Sequence, residues 1–502
     1  MGEVLGTIDA GSNSFRLCVV RLGPAPAWRV VDQAKAWVRL AEGLVPDGAL
    51  VPAARRRGLE ALRGFARICE ERGVEHLMAV ATAAVRQASD GEEFCAAARA
   101  AAGVPLRVIS AAEEAELSLL GALNTLPATE GVLLDVGGAS TEVVRFAGRR
   151  LTGSGSLPLG ALNLTERLAD GAIPAADLEG CLAEAFDALP ALRGVPFGLP
   201  LVGVGGTVRT LAKIDRKVRR LELLPLHNYR MSAGALEEVV GRLTTGEREG
   251  LPGLIPQRAG LIAAGGALVR AAFRRAGASE LWVSGAGLRE GLIYQRLLAG
   301  RRPPVLGDVL EAGVESFLIL HGLDRRRSQQ AVRLAGELWD ALKPLHGLED
   351  EWRRVLTAAA ALREAGMAVG PYKEGRHTFQ LLVDGTVRGL SQRETLLMAA
   401  AAAYRGDPAE LKALLAPYAR LLADGDRRRI RRLGVMASLA WSLGRYAPAA
   451  VRVLGGRGSP AAWHLTVAAP EDGVWERREA AGWEVAFRRA FQATLITETP
   501  SD

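Results

Sequence analysis

A seven-residue pattern occurs twice in this chain, and it constrains the fold more than any other feature. Ile8-Asp9-Ala10-Gly11-Ser12-Asn13-Ser14 lies against Leu134-Asp135-Val136-Gly137-Gly138-Ala139-Ser140, with Asp, Gly and Ser at the same offsets, 126 positions apart. Each copy is an apolar run ending in Asp, then a glycine turn, then a β-rich run. The repeat predicts two similar α/β lobes facing each other across a cleft. Between the copies, apolar periodicity predicts helices over 52–72, 92–102 and 112–123 and short strands over 76–82 and 106–109. Two further glycine turns follow strand-like runs, Val202-Gly203-Val204-Gly205-Gly206-Thr207 and Trp282-Val283-Ser284-Gly285-Ala286-Gly287. The expected division is a lobe over 1–125, a second over 126–300, a mainly helical domain over 305–450 and a small α+β tail over 451–502. Gly300-Arg301-Arg302-Pro303-Pro304 reads as the linker. In the tail, Trp463 to Val467 and Trp483 to Phe487 read as short alternating segments.

Glycine turns let the backbone approach a ligand closely, so that N–H groups can point at phosphate oxygens. Ser and Asn side chains add neutral donors, and an Asp at a strand end can hold Mg²⁺ directly or through water. A single such turn is more often a tight hairpin. Two matched copies and two more turns in one α/β region point to a phosphate-binding cleft. No Gly-x-x-x-x-Gly-Lys-Ser/Thr is present, which excludes a P-loop enzyme.

Composition narrows the partners. The 502 residues are 49% apolar and 24% charged, an ordinary globular balance, and Lys plus Arg exceed Asp plus Glu by 63 to 56. The basic excess suits a polyanion. Little aromatic interleaving accompanies it, so nucleic acid is not indicated. Cys18, Cys69, Cys95 and Cys181 are scattered, which reads as buried free thiols in a reducing cytosol. No signal peptide is read at the N-terminus, and the longest apolar run, Thr395 to Tyr404, is too short to span a membrane. A soluble, cytoplasmic protein is expected.

The motifs, in their order, resemble the exopolyphosphatase/guanosine pentaphosphate phosphohydrolase family, a branch of the actin-like, ribonuclease H-like superfold. Ile8 to Leu17 is similar to its first phosphate loop, and Asp135-Val136-Gly137-Gly138-Ala139-Ser140-Thr141-Glu142 to its second. Ala81 to Ala88 resembles its arginine motif and Val108 to Leu117 its acidic helix motif. Gly205-Gly206-Thr207 and Ser284 to Gly291 match later motifs. Two positions depart: Ala139 and Ala111 stand where the family favours Gly. The resemblance covers about residues 3–298 and extends more weakly beyond.

What the resemblance implies is specific. Glu114 matches the glutamate that activates the attacking water, with Glu113 beside it. Arg86 would clamp phosphate oxygens with its planar fork. Asp135, with Asp9, would hold Mg²⁺ or another divalent cation, and Glu142 would support metal or water. Ser12, Asn13, Ser14, Gly137, Gly138, Ser140, Thr141, Gly205, Gly206 and Thr207 would cradle phosphates. The helical domain resembles the metal-dependent HD phosphohydrolases with the ligands lost: Arg363-Glu364 stands where His-Asp would, and Arg327 where the upstream His would. A homodimer is implied by analogy with longer members.

Two basic clusters, Arg325-Arg326-Arg327 and Arg427 to Arg432, read either as solvated helix faces or as a track guiding a long polyanion. The leading expectation is an exopolyphosphatase. The rival within the family converts guanosine pentaphosphate to tetraphosphate. Other classes are a sugar or acetate kinase of the same superfold and a non-catalytic polyphosphate or alarmone sensor.

Overall fold

The structure, a computed structural model, describes residues 2–44, 48–221, 225–244, 250–385, 387–446, 450–459, 461–470 and 473–500. The chain forms two compact units. One comprises Met1–Arg220 and Leu226–Val309, the other Leu221–Pro225 and Leu310–Asp502.

The first unit contains β1 (Val4–Ala10), β2 (Phe15–Leu22), β3 (Trp28–Ala36), α1 (Pro52–Glu71), β4 (His76–Ala81), α2 (Ala83–Gln87), α3 (Gly91–Ala102), β5 (Arg107–Val108) and α4 (Ala111–Leu123). The duplicate follows with β6 (Gly131–Val136), β7 (Thr141–Ala147), β8 (Arg150–Leu157), α5 (Ala161–Ala169), α6 (Leu178–Asp187), β9 (Leu201–Val204) and α7 (Gly205–Val218). It closes with β10 (Tyr229–Ser232), α8 (Ala233–Thr244), α9 (Pro256–Ala259), α10 (Ile262–Arg275), β11 (Glu280–Val283) and α11 (Leu288–Leu297).

The sheets share one topology. The first has the order β3-β2-β1-β4-β5 and the second β10-β11-β9-β6-β7-β8. In each, the repeat hairpin pairs antiparallel and its first strand then pairs parallel with the next core strand (β1 with β4, β6 with β9). The strands β1 and β6 are central, so their residues are buried on both faces, which is why they read as nearly continuous apolar runs. The second sheet adds β10 as an antiparallel edge.

Two helices are exchanged between the halves of the sequence. Helix α4 belongs to the first half, yet Ala115, Leu119, Ala122 and Leu123 pack with Leu133, Val144, Phe146 and Val204 of the second sheet. Helix α11 belongs to the second half, yet Leu288 and Leu292 pack with Val80 of β4, and Tyr294 meets Trp28 edge-on. The two helices cross at glycines: a Cβ on Gly121 would overlap the Gly287 carbonyl, and one on Gly291 the Leu117 carbonyl.

The second unit is mainly helical, from Val309–Leu320 to Asp426–Leu443, and ends in a three-stranded sheet formed by Arg452–Gly458, Ala462–Ala468 and Thr494–Glu498. Residues of this tail, among them Trp463, Leu465 and Phe487, share one core with the helices. The segment expected to alternate near Trp483 to Phe487 is instead the helix Glu484–Phe491, with Phe487 and Phe491 one turn apart on its buried side. The capping box at Ser391 forms, Glu394 N–H donating to Ser391 Oγ and Ser391 N–H to Glu394. Of the cysteines, Cys18 and Cys69 are buried, while Cys181 is exposed, contrary to the expected burial. Among the described residues no helix is long and apolar enough to cross a membrane.

The residues compared with an HD site lie together in this unit. Arg327 pairs with Glu364 at 3.3 Å. Arg363 is buried and donates to the carbonyls of Ala402 and Tyr404 at 3.2 and 3.1 Å. Several arginines of the basic clusters have partners inside the unit: Arg325 with Glu315, Arg429 with Asp426 at 3.0 Å, and Arg432 with the Ala490 carbonyl at 3.3 Å.

Candidate active site

The two repeat hairpins end in loops that touch. A Cβ on Gly138 would meet Ser12 and Asn13 side chains at 3.2 and 3.5 Å, so the second loop presents bare backbone to the first. Gly137 N–H closes its own turn on the Ser140 carbonyl at 2.9 Å. Between the loops lies a cleft lined by Asp9, Ser12, Asn13, Ser14, Glu114, Asp135, Gly137, Gly138, Ser140, Glu142, Gly205, Gly206 and Thr207. Residues spread over 199 positions of the sequence (Asp9 to Thr207) thus reach one cavity. Gly205-Gly206-Thr207 opens α7, so its first N–H groups lack partners within the helix and its positive end serves the cleft.

Arg86 and Thr141 of the expected set do not line the cavity. Thr141 is fully buried and its hydroxyl donates to the Leu159 carbonyl at 2.6 Å, which anchors the second loop. Arg86 donates to the Ile109 carbonyl at 2.8 Å and to Glu114 at 3.0 Å, so in this state it braces the glutamate.

Local structure separates Glu114 from its neighbour. Ser110 caps α4 by accepting from Glu113 N–H at 3.1 Å. Glu113 is then held outside by both nitrogens of Arg107, at 2.6 and 2.8 Å. Glu114, one residue on, turns into the cleft.

The cleft carboxylates resist ionisation. Burial and the neighbouring Glu142 push the Glu114 carboxyl well above the usual range, against the pull of Arg86. Burial and Asp135 raise Glu142 to about 7, although Ser140 donates to it at 2.6 Å. Asp135 rises to about 6 through burial and the charge of Asp9, opposed by a hydrogen bond from Ser118. Burial raises Asp9 as well, while Arg16 and Arg289 lower it. Such a set of raised carboxylates creates a demand for compensating positive charge in the cleft.

A divalent cation suits these donors. Mg²⁺ takes oxygen ligands and keeps several waters, so one or two carboxylates plus substrate phosphates suffice. Asp9 and Asp135 could supply them, and among the described residues no His or Cys lines the cleft. Among the described residues no group of three or more His, Cys, Asp or Glu stands ready as a metal cage. The donor set fits a cation shared with a substrate.

One feature escaped sequence reading. Beside the cleft is a pocket of roughly 510 Å³ lined by six cations, Arg16, Lys35, Arg209, Lys213, Arg258 and Arg289, with no carboxylate and no aromatic ring among its lining residues. These six residues come from five elements, β2, β3, α7, α9 and α11, so no run of charge announces them. Partial burial and the guanidiniums of Arg16, Arg258, Arg209 and Arg289 push the Lys35 amine down to about 7. Burial and Arg16 lower Arg209 and Arg258 to about 10. Arg258 lies directly over Gly206, where any side chain would overlap its guanidinium. Trp37 adjoins, its ring engaged by Lys35 at 3.2 Å and facing Arg258 at 5.7 Å.

The model of the Ppx/GppA phosphatase family matches residues 19–299. The chain belongs to the Ppx/GppA phosphatase family. Solved structures agree in fold. An exopolyphosphatase from Cytophaga hutchinsonii is 24% identical with a TM-score of 0.53, covering 59% of this chain and 98% of its own. The Ppx/GppA family member of Aquifex aeolicus is 25% identical with a TM-score of 0.51, covering 60% and 99%. An exopolyphosphatase-like protein is 27% identical with a TM-score of 0.51, covering 60% and 98%. The fold of this Ppx/GppA protein is therefore the two-lobed actin-like one, followed by a helical region with a small sheet. These relatives account for nearly all of their own length with about three-fifths of this chain.

Proposed function

We propose that this phosphatase is an exopolyphosphatase that removes orthophosphate from the end of inorganic polyphosphate. The observation that carries this reading is the basic pocket opening beside the carboxylate-lined cleft. A terminal phosphate between the loops leaves the next phosphates of the chain among Arg16, Arg209, Arg258 and Arg289. Six cations and no aromatic ring stand among the pocket's described lining residues, a lining matched to repeated phosphate charge more than to a stacked base, which favours the inorganic polymer over guanosine pentaphosphate.

Phosphoryl transfer needs positioning and charge stabilisation more than covalent chemistry. Ser12, Asn13, Ser14, Ser140 and the backbone of Gly137, Gly138, Gly206 and Thr207 hold the terminal phosphate. Glu114 accepts a proton from the water that attacks phosphorus opposite the bridging oxygen. The bridging P–O bond breaks, one orthophosphate forms and the shortened chain keeps the bridging oxygen. The arginines beside Gly206 stabilise the charge left on that chain. Asp9 and Asp135 would hold a divalent cation, Mg²⁺ or another, which would supply charge neutralisation on the phosphates. Arg86, now braced on Glu114, reaches phosphate only when that ion pair opens.

Phosphate release from long-chain polyphosphate and from guanosine pentaphosphate, each with Mg²⁺, tests the reading. Glu114→Ala is expected to slow release by about 10²–10⁴-fold while polymer binding persists. Release only from the nucleotide would move the protein to alarmone metabolism. Binding of the polymer without turnover by the native protein would make the cleft a sensor.

A further inference from the structure

Asp135 ends β6 in a place hostile to its charge: it is buried, and Asp9 faces it. Its two oxygens are treated differently. Oδ1 lies against Gly205, whose φ of +83° and missing side chain make the space, since a Cβ there would stand 2.7 Å from that oxygen. Oδ2 accepts a hydrogen bond from Ser118 Oγ at 3.1 Å. Among the described residues this hydroxyl is the one hydrogen-bond donor to the Asp135 carboxylate. Ser118 has no exposed surface and sits on α4 one turn beyond Glu114. A helical serine usually turns its hydroxyl back to a carbonyl of its own helix or out to water. Here it reaches out of its helix to β6 of the sheet that α4 packs against.

We propose that Ser118 is a positioning residue that fixes the Asp135 carboxylate for a divalent cation and sets it relative to Glu114. One helix face then carries both the water-activating glutamate and the group that aims the cation-holding aspartate. Positions i and i+4 of a helix stand one above the other, so their separation is set by the helix itself. The glycine crossing at Gly121 and Gly291 packs the same helix against α11, whose first turn brings Arg289 and Glu290 to the cleft.

The inference rests on Asp135 holding the cation, and the experiment separates the two. Mn²⁺ binding to the whole chain, without substrate, is followed by the electron paramagnetic resonance of the free ion. Ser118→Ala is expected to weaken binding about tenfold, the scale of one hydrogen bond to a charged group. Ser118→Thr, which keeps the hydroxyl, should restore most of it, with melting temperatures recorded for both. Asp135→Asn should abolish the site. Native Mn²⁺ affinity in Ser118→Ala, with binding lost in Asp135→Asn, overturns the role of Ser118 alone. Equal weakening by Ala and Thr also overturns it, because packing and not the hydroxyl would then matter. Native affinity in Asp135→Asn overturns the cation assignment and this inference with it.

Discussion

Asp9 and Asp135 occupy equal positions in two hairpins, but their cross-strand partners differ in sign. Asp9 pairs with Arg16 and Asp135 with Glu142, in the same register. One copy of the repeat therefore contributes to the basic pocket, and the other supplies a carboxylate beside Glu114. Divergence at a single position polarises the cleft. Lys35 gives that polarity a pH dependence. A base whose pKa has fallen to about 7 is charged below that pH and neutral above it. The pocket thus loses one positive charge as pH rises through neutrality. KM for polyphosphate should rise several-fold between about pH 6 and about pH 8.5, and Lys35→Met should flatten the change. A native KM that stays level over this range would count against the pocket as a phosphate subsite. Asp9, Asp135 and the loop serines were legible because the repeat marks them. Lys35, Arg209 and Arg258 were not, since isolated cations in an arginine-rich chain carry no local signature.

Helices α4 and α11 show what elements add. Apolar periodicity found α4, and Ser110 as a cap explains where it starts, whereas no helix was read over Leu288–Leu297. Their exchange between sheets depends on complementary surfaces 170 or so residues apart, and periodicity does not say which sheet a face will meet. Their crossing is tight enough to be tested. Gly291→Ala would drive a methyl into the Leu117 backbone carbonyl, which cannot move aside like a side-chain tip. A loss of about 3 kcal/mol is expected, read by urea unfolding, with weaker phosphate release because Glu114 and Arg289 sit on the displaced helices. An undiminished unfolding midpoint would show the crossing to be looser than described. The tail offers the opposite lesson. Trp483 to Phe487 looks alternating over five residues, but the helix Glu484–Phe491 wins because Phe487 and Phe491 bury one turn apart against the unit's core.

On the scale of the whole molecule, the α/β unit holds every residue of the candidate site. Its solved relatives are covered almost entirely by about three-fifths of this chain. Residues 1–309 alone should therefore fold and release phosphate from tripolyphosphate, as checked by circular dichroism and phosphate assay. An insoluble or inactive fragment would show that the α/β unit depends on the rest. In the helical unit, the Arg327–Glu364 pair and buried Arg363 stand in the place compared with an HD metal centre, an arrangement of guanidinium and carboxylate with its own internal partners. The sequence by itself determined the duplicated hairpins with their glycine turns and the helical character of the second half. Those follow from local rules: glycine where backbone must be bare, Asp at strand ends, apolar residues at helical spacing. Only the tertiary structure decided the exchange of α4 and α11, the brace of Arg86 on Glu114, the bond from Ser118 to Asp135 and the basic pocket. Each of these depends on atoms distant in sequence meeting in a low-dielectric cleft, where burial and proximity set the energies.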